Sequence, residues 1–291
     1  MWDLPVRIPA GVNEKQNMKR ILTFTAALLF SAAMYAQSQE VRFFSHRGGR
    51  MENDENTLSA FEASYADGYR GFETDVRLTV DGQLVILHDT SLDRTTDSSG
   101  QVELMTAEQI RRTRTKAGNP VLFLDELLAW LKAKGDIEYI EFELKTSPKE
   151  LYPDDRLHEL CDKLYAAITP LIPEGATWLI TSGDYRGLRY IQQKYPDAQM
   201  LLITGKPVND ETIDLCKSMG IYRLGATMSG TCRKAVEKAH QEGILVSLWP
   251  GKSPEDAVLG AYLGADFLCT DVPHAVKTFI SLKTPWIKAE Y

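Results

Sequence analysis

Cysteine is scarce and scattered in this chain. Cys161, Cys216, Cys232 and Cys269 form no CxxC pair and have no histidine at zinc spacing, which leaves no structural zinc site. They are read as small buried apolar residues, and an oxidising compartment would allow a disulfide whose pairing the spacing does not specify. A basic excess is lacking too. With 33 Lys and Arg against 40 Asp and Glu, the formal charge is -7, so the phosphate neutralisation behind nucleic-acid binding has no general source. Nor is there a membrane-length apolar run, which takes about 20 residues. The candidate at 21–36 falls short.

That short run has another reading. Met18-Lys19-Arg20 precedes ILTFTAALLFSAAMYA, and polar QSQE follows. A basic start, a short apolar stretch and small residues near its end are the pattern of an export signal. Residues 1–36 are therefore expected to be a leader and signal peptide cut after Ala36, with 37–291 exported to a periplasmic or extracellular space and carrying no membrane anchor. Oligomeric state is not legible.

Beyond the leader, 44% hydrophobic residues over this length suffice for a large core. Strand-like runs at 41–44, 71–76, 84–88, 137–144, 177–182, 198–204, 222–227, 244–249 and 266–270 alternate with helix-period segments at 57–67, 123–134, 156–169, 184–195, 209–219, 231–242 and 254–263. Such alternation predicts a parallel sheet of the α/β class, and this many strands favour a closed (β/α)8 TIM barrel. The polar stretch 91–120 breaks the rhythm and is expected as a small insertion on the rim. In such barrels the chemistry sits at the carboxyl ends of the strands.

The segment SHRGGRMENDENTLSAF, 45–61, puts His46 and Arg47 directly after a strand. Gly48 and Gly49 are expected to let the backbone turn closely past a substrate, and Asn56 to cap the helix that follows. Within GFETDV, Glu73 and Asp75 must share one face, because strand side chains alternate. Two carboxylates turned inward are costly unless a positive charge neutralises them. In EFELK the odd positions add a further carboxylate and Lys145 to one face. All-oxygen ligation suits a hard cation, Mg2+ or Ca2+, better than zinc. His88 follows LVIL, so a second imidazole also ends a strand. His158 and His240 fall on helices and His274 near a helix start, which leaves His46 and His88 as the candidates for proton transfer.

HRG (46–48), ENTLSAF (55–61), ExD (73–75), DG (81–82), HD (88–89), LxRTT (92–96), ExK (143–145) and TDVP (270–273), in this order along the whole mature chain, resemble the glycerophosphodiester phosphodiesterase family. The resemblance implies a (β/α)8 barrel with an insertion after the HD motif and metal-dependent cleavage of glycerophosphodiesters into sn-glycerol 3-phosphate and an alcohol. It places the catalytic histidines at His46 and His88, the ligands of one divalent cation at Glu73, Asp75 and Glu143, and phosphate contacts at Arg47 and Lys145. Trp249 echoes a late aromatic in the family and is expected to wall the pocket. Asp54 departs from the pattern, since many members have proline there. Two rival functions stay open: a phospholipase D acting on lysophospholipids or sphingomyelin, and a non-catalytic exported phospho-ligand-binding protein. For the first, no exposed apolar docking loop is visible; against the second, every expected position is filled.

Overall fold

The computed structural model describes residues 39–291. The expected signal peptide and its cut after Ala36 lie outside them. Eight parallel strands close on themselves: β1 (Gln39–His46), β2 (Gly71–Leu78), β4 (Tyr139–Leu144), β5 (Thr177–Ser182), β6 (Met200–Pro207), β7 (Arg223–Thr227), β8 (Leu245–Gly251) and β9 (Phe267–Thr270), with β9 and β2 both pairing with β1. This is the expected (β/α)8 barrel.

One strand is placed differently from expectation. The run 84–88 contributes β3 (Leu84–Ile86), which is no barrel stave but lies antiparallel to the end of β2, pairing Arg77 with Val85. β2 outruns its neighbours at the mouth, and a tight turn through Gly82 sends the chain back along it. His88 therefore reaches the mouth on a returning hairpin rather than on a barrel strand. At the opposite end, β10 (Ile287–Glu290) adds a parallel pairing to the start of β1.

Helices cover the barrel through amphipathic faces with clear stops. α1 (Leu58–Ala66) starts at Thr57, whose hydroxyl accepts from the Ala60 N–H, so Thr57 and not Asn56 is its cap. α2 (Ala107–Arg111) belongs to the insertion, and α3 (Leu124–Lys134) ends at Gly135 in the left-handed conformation. In α4 (Asp154–Ile168) the buried residues Leu157, Leu160, Cys161, Leu164 and Ile168 follow the three-four spacing of one face. The set is completed by α5 (Tyr185–Lys194), α6 (Asp210–Met219), α7 (Arg233–Gln241), α8 (Pro254–Leu263) and α9 (Pro273–Lys283).

Alternation then divides the core. Phe72, Val76, Ile140, Phe142, Trp178 and Ile180 face the helices. Phe44, Tyr139, Leu179, Leu201 and Cys269 fill the barrel itself, with Tyr139 stacked on Phe267 at 4.7 Å between centroids. This layer is an apolar floor beneath the mouth. The 91–120 insertion sits on the rim as expected and closes its own small core from Val85, Leu92, Val102, Ile110 and Phe123, among others. Asp54, where many family members have proline, has a contact of its own: its Oδ2 accepts from Thr115 Oγ1 at 2.5 Å and Asn119 Nδ2 at 2.8 Å, tying the first mouth loop to the insertion. All four cysteines are free thiols, three of them buried; Cys232 is exposed, contrary to expectation. No helix among the described residues is long and apolar enough to cross a membrane.

Candidate active site

Strand register builds the site. His46 lies beside Glu73, and Asp75 beside Glu143, in adjacent strands. Glu73, Asp75 and Glu143 each bring an oxygen to within 4.8 Å of the others. His46, Arg47, Glu73, His88, Glu143, Lys145 and Trp249 line one pocket of about 160 Å³ at the barrel mouth, with Glu141, Ser247 and Cys269 deeper in. Every residue singled out from sequence is thus brought to one place, Asp75 standing fully buried behind the pocket wall.

The carboxylates are poorly matched. Both oxygens of Glu73 and Oδ1 of Asp75 are buried and accept no hydrogen bond from any described residue. Around them stand Arg47, whose Nε is 3.0 Å from Asp75, and Lys145, 2.9 Å from Glu143 and 3.6 Å from Asp75. Burial alone would raise the Asp75 pKa, but Arg47 and Lys145 hold it far below the usual range. Glu73 goes the other way: burial and the neighbouring Asp75 charge push its pKa well up. Three convergent carboxylates with orphaned oxygens fit a hard, oxygen-seeking cation.

Each histidine is aimed by a carboxylate. His46 Nδ1 is 2.5 Å from Asp271 Oδ1, leaving Nε2 directed to Glu73 at 3.5 Å. His88 Nδ1 is 2.6 Å from Asp89. Burial lowers both imidazole pKa values, helped by Arg47 at His46 and by Lys145 and Arg47 at His88, and outweighs the carboxylates that raise them. Both rings therefore favour the neutral form, with Nδ1–H donating to the carboxylate and the Nε2 lone pair free.

A second set of residues escaped the sequence reading. Asp271, the second residue of the TDVP motif, directly follows β9, and its place at a strand's carboxyl end was the available signal. Arg94, in the insertion, hydrogen-bonds both Glu55 oxygens, at 2.7 and 2.8 Å, and both Asp89 oxygens, at 2.5 and 3.1 Å. Glu55 in turn pairs with Arg47 at 3.1 Å. A chain of charges thus runs from Arg47 to the carboxylate that orients His88. Asn56 donates from Nδ2 to Asp75 Oδ2 at 2.8 Å, so its amide serves the site and not a helix end. Arg47 and Asn56 both adopt positive φ, 54° and 57°, the strained region that concentrates at functional sites. Gly48 and Gly49 are needed for close packing within the protein: a Cβ on Gly48 would lie 2.5 Å from Ala60 of α1, and one on Gly49 2.7 Å from Pro273.

The fold and this mouth define a class, a (β/α)8-barrel enzyme whose small pocket joins Arg47, Lys145 and two imidazoles to a carboxylate trio that could hold a metal ion. Comparison with known proteins narrows it. The family model described as the glycerophosphoryl diester phosphodiesterase family matches residues 46–275. A glycerophosphodiester phosphodiesterase of Caldanaerobacter subterraneus subsp. tengcongensis is 28% identical over 240 residues, covering 80% of this chain and 94% of its own. A Silicibacter pomeroyi protein assigned to the same activity superposes with a TM-score of 0.76 at 25% identity, over 84% of this chain and 94% of its own. The fold is shared as well with an Oleispira antarctica phosphodiesterase solved with its product sn-glycerol-3-phosphate, at TM-score 0.73 and 19% identity, over 84% and 99% of the two chains. The chain belongs to the glycerophosphoryl diester phosphodiesterase family and is a phosphodiester-hydrolysing enzyme.

Proposed function

We propose that this enzyme hydrolyses glycerophosphodiesters to sn-glycerol 3-phosphate and an alcohol, with His46 and His88 moving the protons. The observation that carries the reading is the convergence of two carboxylate-oriented imidazoles, Arg47 and Lys145 on three carboxylates, with Glu73 and Glu143 lining one small pocket and Asp75 buried just behind its wall. A hard divalent cation, Mg2+ or Ca2+, held by Glu73, Asp75 and Glu143 would neutralise charge on the phosphoryl oxygens.

The remaining steps belong to the protein's own groups. Arg47 and Lys145 bind the phosphodiester oxygens and favour the more highly charged transition state over the ground state. One imidazole takes a proton at Nε2 from the attacking oxygen, which is a water or the substrate's own adjacent hydroxyl, while the other, protonated, gives one to the departing alkoxide; in the second case water then opens the cyclic phosphate. Their depressed pKa values suit the base. The acid needs support, and the negative phosphodiester beside it supplies that by favouring the imidazolium. Asp271 and Asp89 hold the rings at Nδ1 throughout, so protons travel only at Nε2. Trp249 walls the pocket beside the substrate's glycerol.

The phospholipase D reading asks for an apolar surface around the mouth, whereas the immediate rim residues here, Glu55, Asp89 and Arg94, are charged. The test is hydrolysis of glycerophosphocholine, glycerophosphoethanolamine and lysophosphatidylcholine by purified enzyme, read as released glycerol 3-phosphate for the first two and as released choline for the last, with and without EDTA. Glycerophosphodiester turnover that EDTA abolishes is expected, with losses of about 10²–10⁴-fold in His46→Ala and His88→Ala. Turnover confined to lysophosphatidylcholine, or near-normal rates in either folded variant, would refute the assignment.

A further inference from the structure

We infer that Arg77, a buried residue outside the pocket lining, positions His88 for proton transfer. The inference rests on the reading of His88 given above.

His46 is held by the sheet: it ends β1 in register with Glu73 of β2. His88 has no such support, because it stands two residues beyond the last residue of β3. Only the Leu87 N–H, bonded to the Asp75 carbonyl at 3.1 Å, ties the backbone just before it to β2. Arg77 supplies the missing restraint. It continues the row of Glu73 and Asp75 on the same face of β2, and its side chain is 2% exposed. Nε and Nη2 donate to the His88 carbonyl at 3.1 and 2.7 Å. Nη1 donates to the Ser147 carbonyl, just beyond Lys145, at 3.0 Å and to Glu103 Oε1 at 2.5 Å.

One guanidinium thus joins the turn that carries His88, the segment that follows the catalytic lysine, and the insertion. Glu103 is fixed in its turn: it is 1% exposed and also accepts from the Tyr152 hydroxyl at 2.9 Å. For packing alone, apolar side chains of similar size in place of both Arg77 and Glu103 would serve, often with no loss of stability. The planar fork, by contrast, suits a two-pronged grip on a single carbonyl oxygen. With the backbone pinned there and Nδ1 pinned by Asp89, little freedom is left to the imidazole. A misplacement of about 1 Å in a reacting group can cost about 10²-fold in rate.

The experiment is a double-mutant cycle on the full enzyme with saturating Mg2+ or Ca2+ and the fastest glycerophosphodiester of the panel, comparing Arg77→Met, His88→Ala and the pair. Arg77→Met is expected to lower kcat by about 10–100-fold with KM within about threefold of the parent. In the His88→Ala background it should add less than about threefold, since the group it positions is gone. The same 10–100-fold loss in that background, or an Arg77→Met enzyme within twofold of the parent, would overturn the inference. Near-normal turnover of His88→Ala itself would instead remove the reading of His88, and this inference with it. Should Arg77→Met not fold because Glu103 is stranded, Arg77→Met/Glu103→Leu removes both buried charges together and the cycle is read in that background.

Discussion

At the base of the barrel Arg42 reaches Glu138 at 2.8 Å and Glu290 at 2.6 Å, Arg70 reaches Asp136 at 2.7 Å, and His240 lies 2.9 Å from Asp266. These pairs are partly open to water and surround a hollow of about 680 Å³. The pocket at the mouth is far smaller, yet Glu73 in it and Asp75 behind it are buried and carry oxygens with no donor. Charge at the base is matched and cheap to hold; there it helps fasten β10, the last strand of the chain, onto the first. Charge at the mouth is unmatched and costly, which a protein tolerates where an absent partner completes it. Depth and imbalance of charge, rather than the size of a cavity, separate the working end of this barrel from its structural end.

The sharpest way to break that contrast is Glu73→Gln. Loss of one cation ligand is expected to lower turnover by about 10³-fold or more, the several kcal/mol of charge stabilisation a bound ion supplies. In EDTA the same variant should be more stable than the parent, by about 1–3 kcal/mol, because a buried carboxylate with two orphaned oxygens has been neutralised. Calorimetric unfolding of both proteins in EDTA reads the second effect as several degrees. A variant that is inactive and also less stable would mean Glu73 is a structural residue.

Asp271→Asn sharpens the contrast through orientation instead of charge. The amide can no longer hold His46 in the tautomer that leaves Nε2 as acceptor, so kcat should fall by about 10²-fold or more while the fold persists. Arg42→Ala provides the matched change at the base, where two ion pairs are lost but turnover should stay at the parent level. Steady-state kinetics of the two variants side by side check this, and equal effects on kcat would erase the distinction between the ends.

Much of the mouth was legible because alternation along a strand is a local rule. Glu73 and Asp75 in GFETDV, and Glu143 and Lys145 in EFELK, could be placed on one face from spacing alone. Periodicity says nothing, however, about a strand's partner or direction. LVI therefore read as a barrel stave although it returns antiparallel along β2, and the reason Arg77 is needed stayed hidden with it. Asp271 lies 225 residues from His46, so no local pattern joins them; only closure of β9 onto β1 does. Helix α9 had local signals, Pro273 at its first turn and Val276 and Ile280 on one face, and its start was legible at His274 although its extent was not. Asn56 was misread because an amide before a helix has a common role as a cap, and the positive φ that turns it to Asp75 instead leaves no mark in the sequence.

The smallest effect tests the comparison within one residue type. Burial and nearby cations lower the pKa of His46 and His88 at the mouth, whereas the hydrogen bond to Asp266 raises that of His240 at the base against its partial burial. A histidine whose folded pKa exceeds its unfolded value of about 6.5 stabilises fully below that value, and the contribution fades as pH rises through the folded pKa. The stability difference between the parent and His240→Gln should therefore be largest near pH 5.5 and nearly absent at pH 8.5. Because the pair is about a third exposed, the difference should stay under about 1 kcal/mol even at its largest. Chemical denaturation at the two pH values measures it, with kcat expected to be unchanged by the substitution at either. A difference that grew with pH would show that this base pair is governed by desolvation, as the imidazoles of the mouth are, and the two ends would no longer differ in how they hold charge.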